Sequence, residues 1–509
     1  MLTYSFEDIG TDTLYEHLYK AVKNDILNGT LTPMQKLPSK RSFAKHLSIS
    51  TITVENAYSQ LLAEGYIFSV PKKGYYVSNF SNPLLSNVDV KSDFHNTDAK
   101  PNADTLLASH NTDAKPNTNT ISNSTNGDMK IDFPDTNRMH SHTPLNDDDI
   151  NLTANHINAD NFPFSIWSKL IREVISNEKS ALMKPLPSAG SYELRNAITK
   201  HLLDYRGLKV NPAQIIIGAG TEYLYSIIIQ LIGRDFIYGV EDPGYPKISK
   251  IYNSNSISCE YIPLTSCGVD TDILNKSNAN VIHISPSHHF PTGIVTSIGT
   301  RYKLLAWANN ARNRYIIEDD YDSEFRLVGK PIPALLSIDN NEKVIYMNSF
   351  SKSLSSTIRI SYMILPKHLM DNYNKMLSFY ACTVSSFEQA TLAKFISQGY
   401  FEKHINRMRN YYRKLRDMLL DAVKKSKLGS RCTILEENSG LHFLLRISTN
   451  KTDEQLKEAA MKKGLYISCL SDYYMNPKSS EAHTIIVNYS SIRAENIDLI
   501  ISMLLAIID

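Results

Sequence analysis

Residues 343–365, KVIYMNSFSKSLSSTIRISYMIL, read as strand, polar loop and strand. Residues 343–347 are mostly β-branched and apolar, 348–357 are almost all small and hydroxylic, and 358–365 are apolar again. A single lysine, Lys352, stands in the loop between Ser351 and Ser353, and Arg359 follows it before the second strand. By itself the stretch fits a solvated loop lysine as well as a reactive one.

The segments upstream favour chemistry. Residues 314–318 (RYIIE) form a strand that runs into Glu318-Asp319-Asp320 and then Tyr321. An extended backbone points Asp319 and Tyr321 to the same face. Carboxylates at the carboxyl end of a buried strand lie where open α/β sheets hold ligands. SPSHHFPTG at 285–293 follows a strand at 281–284, and EDPGYP at 241–246 follows a strand at 236–240. From 214 to 365 strands and helices alternate, as a mostly parallel sheet with helical crossovers requires, and these loops all fall on one side of it.

In type and order these residues resemble the fold-type I pyridoxal 5'-phosphate (PLP) aminotransferases. The resemblance implies that Tyr245 stacks on the cofactor ring, Asp319 meets the pyridine nitrogen, Tyr321 the ring hydroxyl, and Lys352 forms the Schiff base. It assigns Ser349, Ser351 and Arg359 to the phosphate, with Gly220 and Thr221 adding donors at the mouth of a helix. His288 lies in the loop over the cofactor; beside it His289 replaces the glutamine usual in the family, and it is expected to be neutral and hydrogen-bonded, not a metal ligand. The chemistry needs these types. The lysine must be neutral to attack an aldehyde, so burial or nearby cations have to lower its pKa. The aspartate keeps the ring nitrogen protonated, which makes the cofactor an electron sink. Arginine offers a planar fork to phosphate oxygens.

With 509 residues the chain is too long for one compact domain. Its 42% hydrophobic and 21% charged residues are those of a globular protein, and a net charge of +2 says nothing about partners. The five cysteines are scattered without a C-x-x-C pair, which argues against a disulfide framework or a zinc site. No signal pattern opens the chain, and its most apolar run, 497–508, is too short to span a bilayer, so a cytoplasmic protein without a membrane partner is expected.

Residues 1–78 read as a separate domain: helices at 13–28, 41–47 and 53–64, then a hairpin of 66–70 with 74–78. The segments LYEHLYKAVKNDILNG, KLPSKRSFAKHL and ITVENAYSQLLAEGYI resemble a GntR-type winged helix-turn-helix. The second helix of such a motif enters the major groove. Between Lys36 and Val54 there are cations and no acidic residue. Lys40, Arg41, Lys45, Lys72 and Lys73 are therefore the expected phosphate contacts, and Ser50, Thr51, Thr53, Asn56 and Tyr58 the residues offered by the recognition helix. The arginine usual after the opening serine is Thr51 here, which removes one expected DNA contact.

Residues 79–130 are rich in Asn, Asp, Thr and Ser and repeat HNTDAKPN at 95–102 and 110–117; a flexible linker is expected. Residues 131–509 form the aminotransferase-like part, with a large lobe at about 160–370 and a smaller α/β lobe at about 371–509. A GntR-type head, a linker and an aminotransferase-like body resemble the MocR-type regulators. That implies a head-to-tail homodimer that binds PLP and operator DNA and senses PLP itself or an amine or amino acid. The alternative is a working aminotransferase with an accessory DNA-binding head. Such enzymes hold the substrate carboxylate with an arginine near the C-terminal end, but HTIIVNY at 483–489 has none, which leaves Arg446 and Arg493.

Overall fold

Glu16 reaches back to the Thr13 amide (3.0 Å) and starts α1 (Leu14–Leu27), whose Leu18, Val22 and Ile26 recur at helical spacing and are buried. Ser39 caps α2 (Lys40–Leu47) through the Ser42 amide, and Ser48, with a positive φ of 55°, ends it. Ser50 Oγ accepts the Thr53 amide at 3.0 Å and caps α3 (Thr51–Ala63). The recognition helix therefore begins two residues before its expected start. Strands β1 (Ile67–Val70) and β2 (Gly74–Val77) pair as an antiparallel wing, with Ile67 opposite Val77. Lys72, with φ 62°, stands at its tip.

The computed structural model describes residues 2–6, 10, 12–79, 149–153, 157–329, 331–438, 440–475 and 482–508. Apart from Asn79, the expected linker with its repeat lies outside the described residues, as does the expected start of the body at 131.

The body opens with β3 (Ile150–Asn151), α4 (Phe164–Asn177), α5 (Lys179–Leu182) and α6 (Tyr192–Arg206). Then come β4 (Ile215–Ala219), α7 (Thr221–Ile232), β5 (Tyr238–Asp242), α8 (Pro246–Ser254), β6 (Cys259–Thr265), β7 (Gly268–Val269) and α9 (Thr271–Lys276). The large sheet is completed through β8 (Val281–Ile284), α10 (Ile298–Asn309), β9 (Tyr315–Asp319), β10 (Val344–Ser349) and β11 (Ile360–Ile364). Its eight strands run in the order β4-β11-β10-β9-β8-β5-β6-β7. Strands β10, β9, β8, β5 and β6 are parallel, and β11 is antiparallel to both neighbours. Every residue of β10 and β11 is buried, as in a sheet covered on both faces.

Helices α11 (Lys367–Met376), α12 (Ser386–Ser397) and α13 (Tyr400–Lys425) follow. The chain ends in β12 (Cys432–Leu435), β13 (His442–Ile447), α14 (Asp453–Met461), β14 (Leu465–Tyr466), β15 (Ser468–Cys469), β16 (Thr484–Asn488) and α15 (Ile497–Ile508). Four of these strands form a second sheet, β12-β13-β16-β15. One apolar core runs through both expected lobes, joining Ile217 and Tyr346 of the large sheet to Phe443 and Val487 of the small one. The arginines of α13 differ in exposure: Arg407 and Arg413 are exposed, Arg409 is half-buried and Arg416 is buried. Arg409 and Arg413 donate to the carbonyls of Arg326 and Leu327, and Arg407 to that of Asn161.

The head packs against the body of the same chain. Ile298 N–H, at the first turn of α10, donates to the Glu64 carbonyl that ends the recognition helix (3.0 Å), and Ile298 and Tyr302 join the head's own core. Gly65 makes this approach possible: a Cβ there would lie 2.7 Å from Ser297 Cβ.

Candidate cofactor site and nucleic-acid interface

Parallel strands bring their carboxyl ends to one edge of the sheet, and the site is built there. Asp319 ends β9 directly opposite Met347 of β10, two residues before Ser349. Strand β11 runs the other way, so Arg359, just before it, returns to the same edge beside Ala219 at the end of β4. Topology thus gathers residues that are up to 140 positions apart in the chain.

The alternation of the carboxylate run separates structure from function. Glu318 and Asp320 are spent on packing. Glu318 accepts the amides of Leu335 (2.7 Å) and Leu336 (2.9 Å). Asp320 pairs with buried Arg206 at 2.8 Å and accepts Tyr346 Oη at 2.6 Å. Asp319 and Tyr321 keep polar atoms in reserve: Asp319 Oδ1 and Tyr321 Oη are buried with no hydrogen-bond partner. Buried polar atoms are ordinarily paired, so these two mark the seat of a polar ligand.

Lys352 is 8% exposed. Burial lowers its amine pKa to about 7, against a smaller opposing pull from Asp322. Ser349 Oγ and Ser351 Oγ lie 2.7 Å apart, and Ser349 Oγ also accepts the Ser351 amide at 3.1 Å. Gly220, with φ 90°, precedes α7, so that Thr221 opens the helix. The φ of 90° is one that L side chains rarely adopt, and a Cβ on Gly220 would lie 2.6 Å from Arg359 Cζ, so the guanidinium would have to move from this helix mouth. Arg359 donates to Glu222 at 2.7 Å, and Lys247 pairs with the same carboxylate. Tyr245 is half-exposed at the rim, edge-on to Phe290 with ring centroids 6.0 Å apart.

The loop after β8 is buried and polar. His288 Nδ1 is 3.1 Å from Asp322 Oδ1, so this histidine is held beside the carboxylate that faces Lys352. His289 Nδ1 is 2.7 Å from Thr292 Oγ1, and its Nε2 lies 3.4 Å from Glu241. Burial pushes His289 down to about 3 and Glu241 up to about 8, so at neutral pH the histidine is uncharged and the acid largely holds a proton. No group of side chains able to hold a metal occurs among the described residues.

An aldehyde-bearing pyridine phosphate fits this donor set. There is a buried amine with a lowered pKa, and beside it a carboxylate oxygen and a phenol that each lack a hydrogen-bond partner, and a glycine-lined helix mouth with hydroxyls and a guanidinium. Sequence motifs do not mark Tyr225, His283 and Tyr252, which pack behind Asp319. The one sign of them in the sequence is His283, a polar residue in the otherwise apolar strand VIHI. Neither candidate carboxylate arginine reaches the site. Arg446 is exposed on β13 opposite Thr433 and Thr484, and Arg493 pairs at the surface with Asp160 (3.5 Å) and Glu495 (3.7 Å).

On the head, Arg41, Lys45, Ser50, Thr51, Asn56, Lys72 and Lys73 are exposed and Thr53 is half-buried, so all are placed to meet a ligand. Lys40 is already engaged by Glu55 at 2.5 Å. Tyr58 is a correction: it is fully buried, and its hydroxyl donates to the Pro38 carbonyl (3.0 Å). Val54, Ala57, Tyr58 and Leu61 form one face of α3, and that face packs into the head. Ile52, not expected as a contact, is 69% exposed on the first turn of α3. Among the described residues no helix is long and apolar enough to cross a membrane.

Residues 147–498 match the aminotransferase class I and II family, and residues 14–77 match the bacterial regulatory proteins of the gntR family. The chain is 36% identical over 463 residues to the uncharacterized HTH-type transcriptional regulator YdeL of Bacillus subtilis, covering 91% of this chain and 90% of that protein. It is 29% identical to the probable rhizopine catabolism regulatory protein MocR of Rhizobium meliloti (94% and 90% covered). It is 26% identical to the pyridoxine biosynthesis transcriptional regulator PdxR of Corynebacterium glutamicum (90% and 88% covered). Among solved structures, the multiple substrate aminotransferase of Thermococcus profundus superposes with a TM-score of 0.64 at 21% identity, over 75% of this chain and 96% of that one. That likeness is one of fold.

Proposed function

This chain belongs to the aminotransferase class I and II family and, with its gntR-type head, to the MocR/PdxR-type transcriptional regulators, and from that premise we propose that its body holds PLP on Lys352 and that occupancy of this site sets the affinity of the head for operator DNA. The observation that carries the reading is the buried Lys352 amine, lowered to about 7, beside a carboxylate oxygen and a phenol that lack partners. When bound, PLP supplies an electrophilic aldehyde on an electron-withdrawing ring. The chain's own residues do the rest. Lys352 offers an uncharged amine near neutral pH, and Asp319 Oδ1 accepts a proton held at the ring nitrogen. Tyr321 Oη donates to the ring hydroxyl, while Arg359, Ser349, Ser351, Thr221 and the Gly220 amide hold the phosphate. Tyr245 covers the ring from the rim.

The signal is PLP itself or an amine bound with it. Because Arg446 and Arg493 point elsewhere, neither provides a seat for the α-carboxylate of an amino acid. A second copy of the chain completes the working form. Exposed apolar side chains support this: Phe379 in the loop before α12 and Met183, whose neighbour Leu182 accepts Ser386 Oγ at the start of that helix.

The test is operator binding by fluorescence anisotropy with apo protein, PLP-loaded protein and Lys352→Ala. We expect PLP, alone or with an effector amine, to change operator affinity about 5- to 150-fold, and operator DNA to change effector affinity by the same factor. Equal affinity and footprint in all three, with or without amines, would reduce the body to a scaffold.

A further inference from the structure

Asp319 is gripped from behind. Tyr225 Oη donates to its Oδ2 at 2.9 Å, and His283 Nε2 lies 3.6 Å from the same oxygen. Tyr252 Oη and His283 Nδ1 are 2.7 Å apart. The three side chains come from α7, β8 and α8. His283 stands opposite Ile317 in the parallel β8–β9 ladder, so it emerges on the same face of the sheet as Asp319. Tyr225, Tyr252 and His283 are all buried, and their rings contact one another with centroids 5.3–6.0 Å apart. Oδ1 is left buried and without a partner. Burial above all, and then the nearby Asp319 carboxylate, raises the Tyr225 pKa well above the ordinary phenol value, so its hydroxyl stays a donor.

We infer that Tyr225, backed by His283 and Tyr252, is a positioning residue that fixes the Asp319 carboxylate, presents Oδ1 to the ring nitrogen of the cofactor and keeps the shared proton on that nitrogen. The inference rests on the cofactor reading of the site. A carboxylate whose Oδ2 accepts the Tyr225 hydroxyl, with an imidazole packed beside it beyond hydrogen-bond distance, has one free oxygen and one orientation. The donor also stabilises the charged form of Asp319, as a hydrogen bond to an anion does. Tyr225 stands one helical turn after Thr221, at the phosphate end of α7, so a single helix sets the spacing between the two ends of the bound group. Without the Tyr225 hydroxyl, Oδ2 loses its donor and Oδ1 its fixed placement. A proton held at the ring nitrogen would then be shared toward Oδ1, and no other bond would change.

The test uses the full-length protein loaded with PLP carrying 15N in its ring, and compares wild type with Tyr225→Phe, Tyr252→Phe and, as the reference without an acceptor charge, Asp319→Asn. In Tyr225→Phe the ring-nitrogen resonance should move from the protonated position of the wild type toward that of Asp319→Asn. PLP affinity should fall about tenfold, while borohydride still traps the cofactor on Lys352 at saturation. Tyr252→Phe should move the resonance the same way by less, and it decides the matter alone if Tyr225→Phe does not fold. Wild-type resonance and affinity in both variants would overturn the inference. A wild type that takes no PLP on Lys352 would fail differently, by removing the cofactor reading on which the inference stands.

Discussion

The head offers its cations to water, whereas the body hides the Lys352 amine from it. Arg41, Lys45, Lys72 and Lys73 project from α2 and the wing into solvent. Lys352 is enclosed at the sheet edge, and burial holds its amine near a pKa of about 7. Exposed charges act through a high dielectric, so each contributes a small, salt-screened and roughly independent share of binding to a polyanion. A desolvated amine has its reactivity set by its enclosure, and no neighbour can replace it. The two regions should therefore respond to mutation in opposite ways: gradually in the head, abruptly in the body.

The largest effect tests the abrupt side. Lys352→Ala should abolish the visible band and the borohydride-stable adduct outright, as read by absorbance and peptide mass. A trapped adduct on another lysine would break the contrast.

The seam between the two regions comes next. Ile298 is buried between head and body, and burying a charge there is costly. Ile298→Asp should detach the head, exposing α3's carboxyl end to hydrogen exchange, while the Lys352 adduct still forms. If the adduct is lost as well, head and body fold as one inseparable unit.

Gly220→Ala places a Cβ against the Arg359 guanidinium at a backbone φ of 90°. PLP affinity should drop about tenfold or more, measured by fluorescence quenching, because both the phosphate seat and the turn are disturbed. Unchanged affinity would take Arg359 out of the phosphate site.

The fourth test concerns pH. The amine of Lys352 is protonated below about 7 and free above it. The rate of covalent capture of PLP should thus climb as pH rises through about 7 and then level off. Stopped-flow absorbance would show this, and a rate that keeps climbing toward pH 10 would mean an ordinary exposed lysine.

The smallest effects belong to the head. Lys72→Ala or Arg41→Ala should each lower the log–log salt slope of operator binding by roughly 1 per half-site. Lys40→Ala should change it less, since Lys40 is already paired with Glu55. A slope change at Lys40 equal to that at Lys72 would show that DNA breaks the Glu55 pair, which costs little for an exposed pair of about 0–1 kcal/mol.

Local signals made much of this legible. The strand-loop-strand around Lys352, the strand ending at Asp319 and the helix-turn-helix all declare themselves by periodicity and turn residues. Asp319 and Tyr321 were separable from Glu318 and Asp320 because side chains alternate along a strand. Tyr58 was equally open to that logic: its place beside Val54, Ala57 and Leu61 marks it as a core residue, and its polar hydroxyl disguised the fact. The partners of the α13 arginines were not open to it, because a helix face of cations does not say which backbone carbonyls of a distant loop it will reach.

By itself, then, the sequence determined which segments become helix or strand, which side chains share a face, and which residue types gather at the ends of the strands. These follow from interactions a few residues long. Tertiary structure alone decided that Tyr225 would donate to Asp319 with His283 packed beside it, that Arg446 and Arg493 would lie at the surface, and that the head would rest on α10. Such contacts join residues scores to hundreds of positions apart. They depend on which faces the packed sheet brings together, and no local pattern carries that information.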